Sequence, residues 1–143
     1  MNRFVIDASV ALKWSLPARD EAFTAQAENL LTDYRNTEAT FFVPDLFWLE
    51  IGNALWKSVW KGKIVQAQAE KGYAEISELQ IPTVPSMDLV PQAMQLAIAH
   101  GRSVYDSLYV VLALQAKAEL ITADERLANA LAARFPVKWL GAI

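Results

Sequence analysis

The chain has 143 residues, no cysteine, one histidine and a formal net charge of -3. That length suits one domain, residues 1–143, able to bury about two-thirds of its unfolded surface, and the missing cysteines exclude disulfides and thiolate metal sites. A pI near 5.1 argues against a protein that coats nucleic acid through broad positive potential, but not against an enzyme that sets a divalent cation between carboxylates and a phosphate.

The elements run in chain order as follows. Phe4-Val5-Ile6 is an apolar strand that ends at Asp7. Phe23, Ala27, Leu30, Leu31 and Tyr34 recur at helical spacing and form a core stripe. Thr40 to Val43 predicts a second strand, followed by a helix over Asp45 to Lys61 that stops at Gly62. Ile81-Pro82-Thr83-Val84-Pro85 breaks helices and has room for one short extended piece. Leu89, Ala93, Leu96 and Ala97 form a further helical stripe after a Ser86 cap, with His100 read as a helix C-terminal residue before the Gly101 stop. A helix over Ser103 to Lys117, a strand at Leu120 to Thr122, a helix carrying Leu127, Leu131 and Phe135, and a strand at Val137 to Leu140 complete the chain. Strands alternating with helices are the mark of parallel βα units, so the fold class is α/β. The longest apolar run, Leu108 to Leu114, falls far short of the ~18 residues that span a bilayer. Met1-Asn2-Arg3 leads straight into the first strand with no apolar signal segment. A soluble, cytoplasmic protein with no membrane association is expected.

The helix from Asp45 has two unequal sides. Glu50, Asn53, Lys57 and Lys61 share one narrow polar stripe, while apolar residues including Trp56 and Trp60 surround it. One core contact cannot use so wide an apolar arc. The part bearing the two tryptophans is therefore a candidate interface with a second copy or another chain, the alternative being a central helix buried on most sides. A hydrophobic content of 54%, above the usual ~45–50%, points the same way.

Four carboxylates carry the chemistry. Asp7 and Asp124 lie just past predicted strands, and Glu50 and Asp106 lie early in helices. In a parallel sheet these positions share the edge at which ligands bind. Each has a plain structural explanation: an Asx turn or cap for Asp7, a helix cap for Asp124, a solvated face for Glu50. Asp106 is harder to explain so, because it opens a helix that is apolar almost all round, where burial without a charge partner costs several kcal/mol. Glu50 has no opposite charge three or four residues away. Brought together, the four would form a set of oxygen ligands suited to a hard divalent cation. Lys13, Lys57, Arg102 and Arg126 are the candidate cations for holding a nucleic-acid strand.

Phe4-Val5-Ile6-Asp7-Ala8-Ser9, Pro44 with Glu50, Tyr105-Asp106-Ser107-Leu108-Tyr109 and Ile121-Thr122-Ala123-Asp124-Glu125-Arg126-Leu127 resemble, in order, the motifs of the PIN domain family. The resemblance covers essentially the whole chain and is nearest to the small VapC-type toxins. It implies a three-layer α/β/α sandwich around a parallel sheet and an endoribonuclease dependent on Mg2+ or Mn2+, leaving a 5′-phosphate and a 3′-hydroxyl. Asp7, Glu50, Asp106 and Asp124 match the family's metal-holding acidic quartet, and Ser9 and Thr122 its supporting hydroxyls. It also implies an RNA substrate, a homodimer and a cognate antitoxin. Two other classes stay open: a non-enzymatic α/β protein-binding module and another magnesium-dependent phosphoryl-transfer enzyme. Against the latter, a haloacid-dehalogenase arrangement would want an aspartate where Ser9 stands, and the five glycines form no phosphate-binding loop.

Overall fold

A computed structural model describes all residues, 1–143. Five strands, β1 (Asn2–Ile6), β2 (Ala39–Pro44), β3 (Thr83–Val84), β4 (Glu119–Thr122) and β5 (Val137–Trp139), alternate with seven helices. These are α1 (Ala8–Ala11), α2 (Thr24–Arg35), α3 (Leu46–Trp60), α4 (Gln66–Ser77), α5 (Val90–His100), α6 (Val104–Ala116) and α7 (Glu125–Leu131). All strand pairs are parallel, in the order β3-β2-β1-β4-β5. Helices cover both faces of the sheet, giving the three-layer α/β/α sandwich. No helix is long and apolar enough to cross a membrane.

The strand order places the site before any side chain is considered. From β1 the chain builds outward through β2 to β3, then returns to the other side of β1 to lay down β4 and β5. The carboxyl ends of β1 and β4 thus flank the point where the winding reverses, and a crevice opens there in sheets of this kind. Val5 pairs with Leu120 and Ile6 with Ile121, and the Asp7 N–H donates to the Ile121 carbonyl, so the ladder runs to the edge of that crevice.

α6 is the central helix expected from its composition. Ser107 through Ala113 are all buried, and the helix packs on β1, β2 and β4. A helix that is apolar all round can be accommodated only between other elements; here α5 covers its outer side. Phe41 and Phe47 anchor the rest of the core, with Tyr34 and Trp14 stacked on Phe41. Gly101, at φ 68°, ends α5 in the left-handed conformation that glycine adopts without steric cost.

Three expectations are corrected. Ser86 does not cap α5. It opens a short 3-10 turn, α5 begins at Val90, and the Ser86 hydroxyl instead accepts from the Leu46 N–H at the start of α3. The alternative of an α3 buried on most sides fails, because Leu49, Trp56 and Trp60 are 73%, 58% and 75% exposed. Asp106 is not deeply buried. Its side chain is 38% exposed, with the Arg102 guanidinium 3.8 Å away, because it lies in the first turn of α6, ahead of the buried stretch Ser107–Ala113.

Candidate functional site

Asp7 is where the site begins. It stands at the N-cap position of α1, yet its side chain caps nothing, so the structural reading of an Asx cap does not account for it. Its Oδ2 accepts two hydrogen bonds instead, from the Ser9 and Thr122 hydroxyls, each at 2.8 Å. Those hydroxyls are themselves fixed: Ser9 Oγ accepts from the Ala123 N–H and Thr122 Oγ1 from the Asp124 N–H. Two backbone donors at the end of β4 thus orient two hydroxyls onto one carboxylate oxygen at the end of β1. Because each hydroxyl has one proton, accepting from the backbone directs that proton to Asp7. Oδ1 takes no protein hydrogen bond, which leaves it as the oxygen for an incoming ligand.

Asp124 does cap a helix. Its Oδ1 accepts from the Arg126 and Leu127 N–H groups at the start of α7. Capping engages one oxygen and holds the carboxylate in place with the other free. Asp106 sits in the first turn of α6, its N–H donating to the Ser103 hydroxyl. Glu50 projects from α3 and accepts a short hydrogen bond from the Tyr109 hydroxyl. Tyr109 was not singled out by sequence reasoning. A phenol on the buried stretch of a mostly apolar helix needs a partner for its O–H, and that requirement is the signal that could have found it.

The four carboxylates act on one another electrostatically. Desolvation raises the Asp7 carboxyl above its usual 3.8; the Ser9 and Thr122 hydroxyls partly offset this, and the Asp106 and Asp124 charges add to it. Burial also raises Glu50, against the Tyr109 hydrogen bond and with help from Asp7 and Asp106. Asp106 is raised by burial and by Asp124, with Arg102 pulling the other way. The Tyr109 phenol is pushed far up by burial and by the Asp7 and Glu50 charges, so it remains a proton donor to Glu50. Burial is the first cause of all three raised carboxyls, and the smaller acidic contributions show that like charges lie near one another.

A hard divalent cation fits this donor set. Every candidate ligand is an oxygen, the ligands are acidic, and their repulsion is relieved by positive charge. No three of the side chains already stand in a geometry that encloses an ion. Magnesium keeps several waters and needs only one or two direct carboxylates, so an open arrangement suits it better than a closed cage.

Of the four candidate strand-holding cations, Lys57 and Arg126 are exposed on α3 and α7, and Arg102 lies beside Asp106. Lys13 corrects the expectation. It is buried and pairs with Glu21 at 3.3 Å, because an ammonium turned inward must keep a counter-charge, and it is not a free surface cation.

A parallel sheet with acidic residues at its winding reversal defines an α/β domain whose ligand crevice lies at the carboxyl ends of β1 and β4. The PIN domain family model matches residues 4–131, and the chain belongs to that family. It is 29% identical over 129 residues to Ribonuclease VapC3 of Pyrobaculum aerophilum, covering 89% of this chain and 93% of that protein. The crystal structure of PAE2754 from Pyrobaculum aerophilum superposes with a TM-score of 0.72 at 19% identity, over 99% of this chain and 85% of that one. A toxin-antitoxin complex from Klebsiella pneumoniae gives a TM-score of 0.64 at 12% identity, over 94% of both chains.

Proposed function

We propose that the protein is a metal-dependent endoribonuclease, the toxin of a toxin-antitoxin pair, acting in the cytoplasm. The single observation that carries the reading is the doubly supported Asp7 carboxylate, surrounded by Glu50, Asp106 and Asp124 at the winding reversal of a PIN domain. The curated relative named a ribonuclease and the toxin-antitoxin complex of the same fold support it.

Asp7, Asp106 and Asp124 would hold Mg2+ or Mn2+, directly or through water, with Glu50 positioned for a second ion or for the attacking water. A bound divalent ion supplies a water of lowered pKa and neutralises charge on the phosphate oxygens. The chain's residues do the remainder. Ser9 and Thr122 favour the ionised form of Asp7 and orient it, and Tyr109 holds Glu50 toward the cleft. Water attacks phosphorus, the bond from phosphorus to O3′ breaks, and O3′ takes a proton. A 5′-phosphate and a 3′-hydroxyl result. The lone histidine packs edge-on against Phe135 at the end of α5 and is no part of the site, so histidine acid-base catalysis is not available here. The test is cleavage of single-stranded RNA by the purified protein, present with Mg2+ or Mn2+ and lost in chelator. Undiminished cleavage in chelator rules out the metal mechanism. Metal binding without turnover favours the non-enzymatic module.

The exposed part of α3 is assigned to partners. Trp56 and Trp60 stack on each other, and Trp56 borders an apolar groove of about 490 Å³ between α3 and α4, with Leu55, Val59, Ala69 and Tyr73 along it. Buried aromatics at an interface typically cost about 2 kcal/mol or more when truncated. Trp56→Ala with Trp60→Ala is therefore expected to lower homodimer or antitoxin affinity about thirtyfold or more, read by sedimentation and by antitoxin titration. Unchanged values for both would remove this face from the interfaces.

A further inference from the structure

The Arg102 guanidinium is unusual in what it lacks. Its side chain is only 25% exposed, and its Nε is buried with no hydrogen-bond partner, the only buried side-chain polar atom in the molecule so placed. Its nearest acid is Asp106, but the NH2–Oδ2 separation is 3.8 Å. That is an ion pair by charge alone. A guanidinium serving a carboxylate as structural counter-ion closes to about 2.7–2.9 Å, usually with two parallel N–H bonds. A guanidinium whose buried Nε–H meets no acceptor is costly to keep, and such a group calls for an explanation.

The electrostatics of the cleft narrow the explanation. The Asp7 and Glu50 carboxyls feel only like charges, from each other's neighbourhood and from Asp106 and Asp124. Arg102 is the one cation whose charge registers on any of the raised carboxyls, and it does so on Asp106. It lies just before the Ser103 N-cap of α6, so the backbone that carries it is fixed by the same turn that presents Asp106. An acidic site that must accept a phosphodiester needs one fixed cation at its margin, and a planar fork of N–H donors matches phosphate oxygens better than any other side chain.

We propose that Arg102 grips the non-bridging oxygens of the phosphate being cut, its unused N–H groups reserved for that anion and not for Asp106. The proposal rests on the nuclease reading of the same cleft. Once the carboxylates carry a metal ion, Asp106 no longer holds the guanidinium, and the phosphate takes its place. Arg102 then both positions the strand and stabilises the charge that develops on phosphorus oxygens during attack.

The test uses Arg102→Ala and Arg102→Lys, each measured in two ways. Cleavage of a single-stranded oligoribonucleotide with Mg2+ gives kcat and KM. Binding of the same labelled strand, in an Asp124→Asn background that does not cut, is followed against salt concentration. Loss of one donor aimed at developing charge is worth about 10²–10³-fold in kcat. Arg102→Ala is therefore expected to lose that much, and to lower the salt slope of binding by about 0.7, the contribution of one phosphate contact on a single strand. Arg102→Lys should recover the salt slope but little of the rate, because an ammonium keeps the charge and loses the fork. If cleavage falls while RNA binding and its salt slope stay at wild-type values, Arg102 acts only through Asp106 and the assignment is overturned. Wild-type kinetics in both variants overturn it as well. A variant that melts early is set aside in favour of the other, whose binding curve decides alone. Should the wild type bind RNA but cut none, the nuclease reading fails, while the salt slopes still report whether Arg102 holds phosphate.

Discussion

Asp7→Asn is expected to abolish RNA cleavage while leaving the metal-free protein at least as stable as wild type. The two effects have one cause. Asp7 is a desolvated carboxylate with Asp106 and Asp124 close enough to raise it further, so its charge works against the fold until a cation compensates. Asparagine keeps an amide oxygen to accept from the Ser9 and Thr122 hydroxyls and removes the charge. Loss of a group that merely supports a metal ligand costs about 10- to 100-fold in affinity or activity, so loss of the ligand itself should exceed that. Ser9→Ala supplies the smaller value for comparison, since it deletes one of the two hydroxyls on Oδ2. A structural cap behaves otherwise: its removal lowers stability by about 0.5–2 kcal/mol and spares activity. Asp7 caps nothing. Melting curves and cleavage assays on Asp7→Asn decide the matter, and a variant that melts well below wild type yet still cuts RNA would remove Asp7 from the site.

From composition Asp106 is the carboxylate expected to be deeply buried, and the structure places it instead beside Arg102 at 38% exposure. An apolar helix such as α6 shows in its composition that it is central, and Ser107 to Ala113 are indeed buried. What composition cannot show is where along its length such a helix emerges. Asp106 lies in the first turn, next to Arg102, and is partly solvated. Asp7 looked like an ordinary strand-end aspartate because its burial is produced by β4, more than a hundred residues away. The α/β class, the strand positions and the exposed tryptophans were legible because periodicity and local composition are properties of short windows. The network onto Asp7 and the Tyr109–Glu50 contact were not, since each joins residues brought together only by the sheet order. That the four acidic positions fall at one edge could still be expected, because a strand order with its reversal beside β1 collects strand ends and helix starts there.

Magnesium and pH should act on stability in opposite directions, and the signs follow from the raised carboxyls. Asp7 and Asp106 are raised from an ordinary 3.8 and Glu50 from an ordinary 4.5. Above those values the folded state still holds protons that the unfolded chain has released. Stability therefore falls as pH rises through the folded-state values, since it decreases with pH wherever the native state binds more protons. In chelator, the wild-type melting temperature should decline as pH rises above the ordinary carboxylate values of 3.8 and 4.5, and Asp7→Asn should decline less. Magnesium is expected to bind only the ionised, folded site, so its effect should grow over the same range in which the metal-free protein weakens. At a hundred times its dissociation constant a ligand contributes about 2.7 kcal/mol, or roughly 5–10 °C for a domain of this size. The expected pattern is a metal-free curve that slopes down with pH and a magnesium curve that lies above it by a widening gap, with the gap nearly closed in Asp7→Asn. Melts that ignore magnesium at every pH, or a metal-free curve that climbs as pH rises above the ordinary carboxylate values, would mean that the four carboxylates do not share one ion-binding cleft.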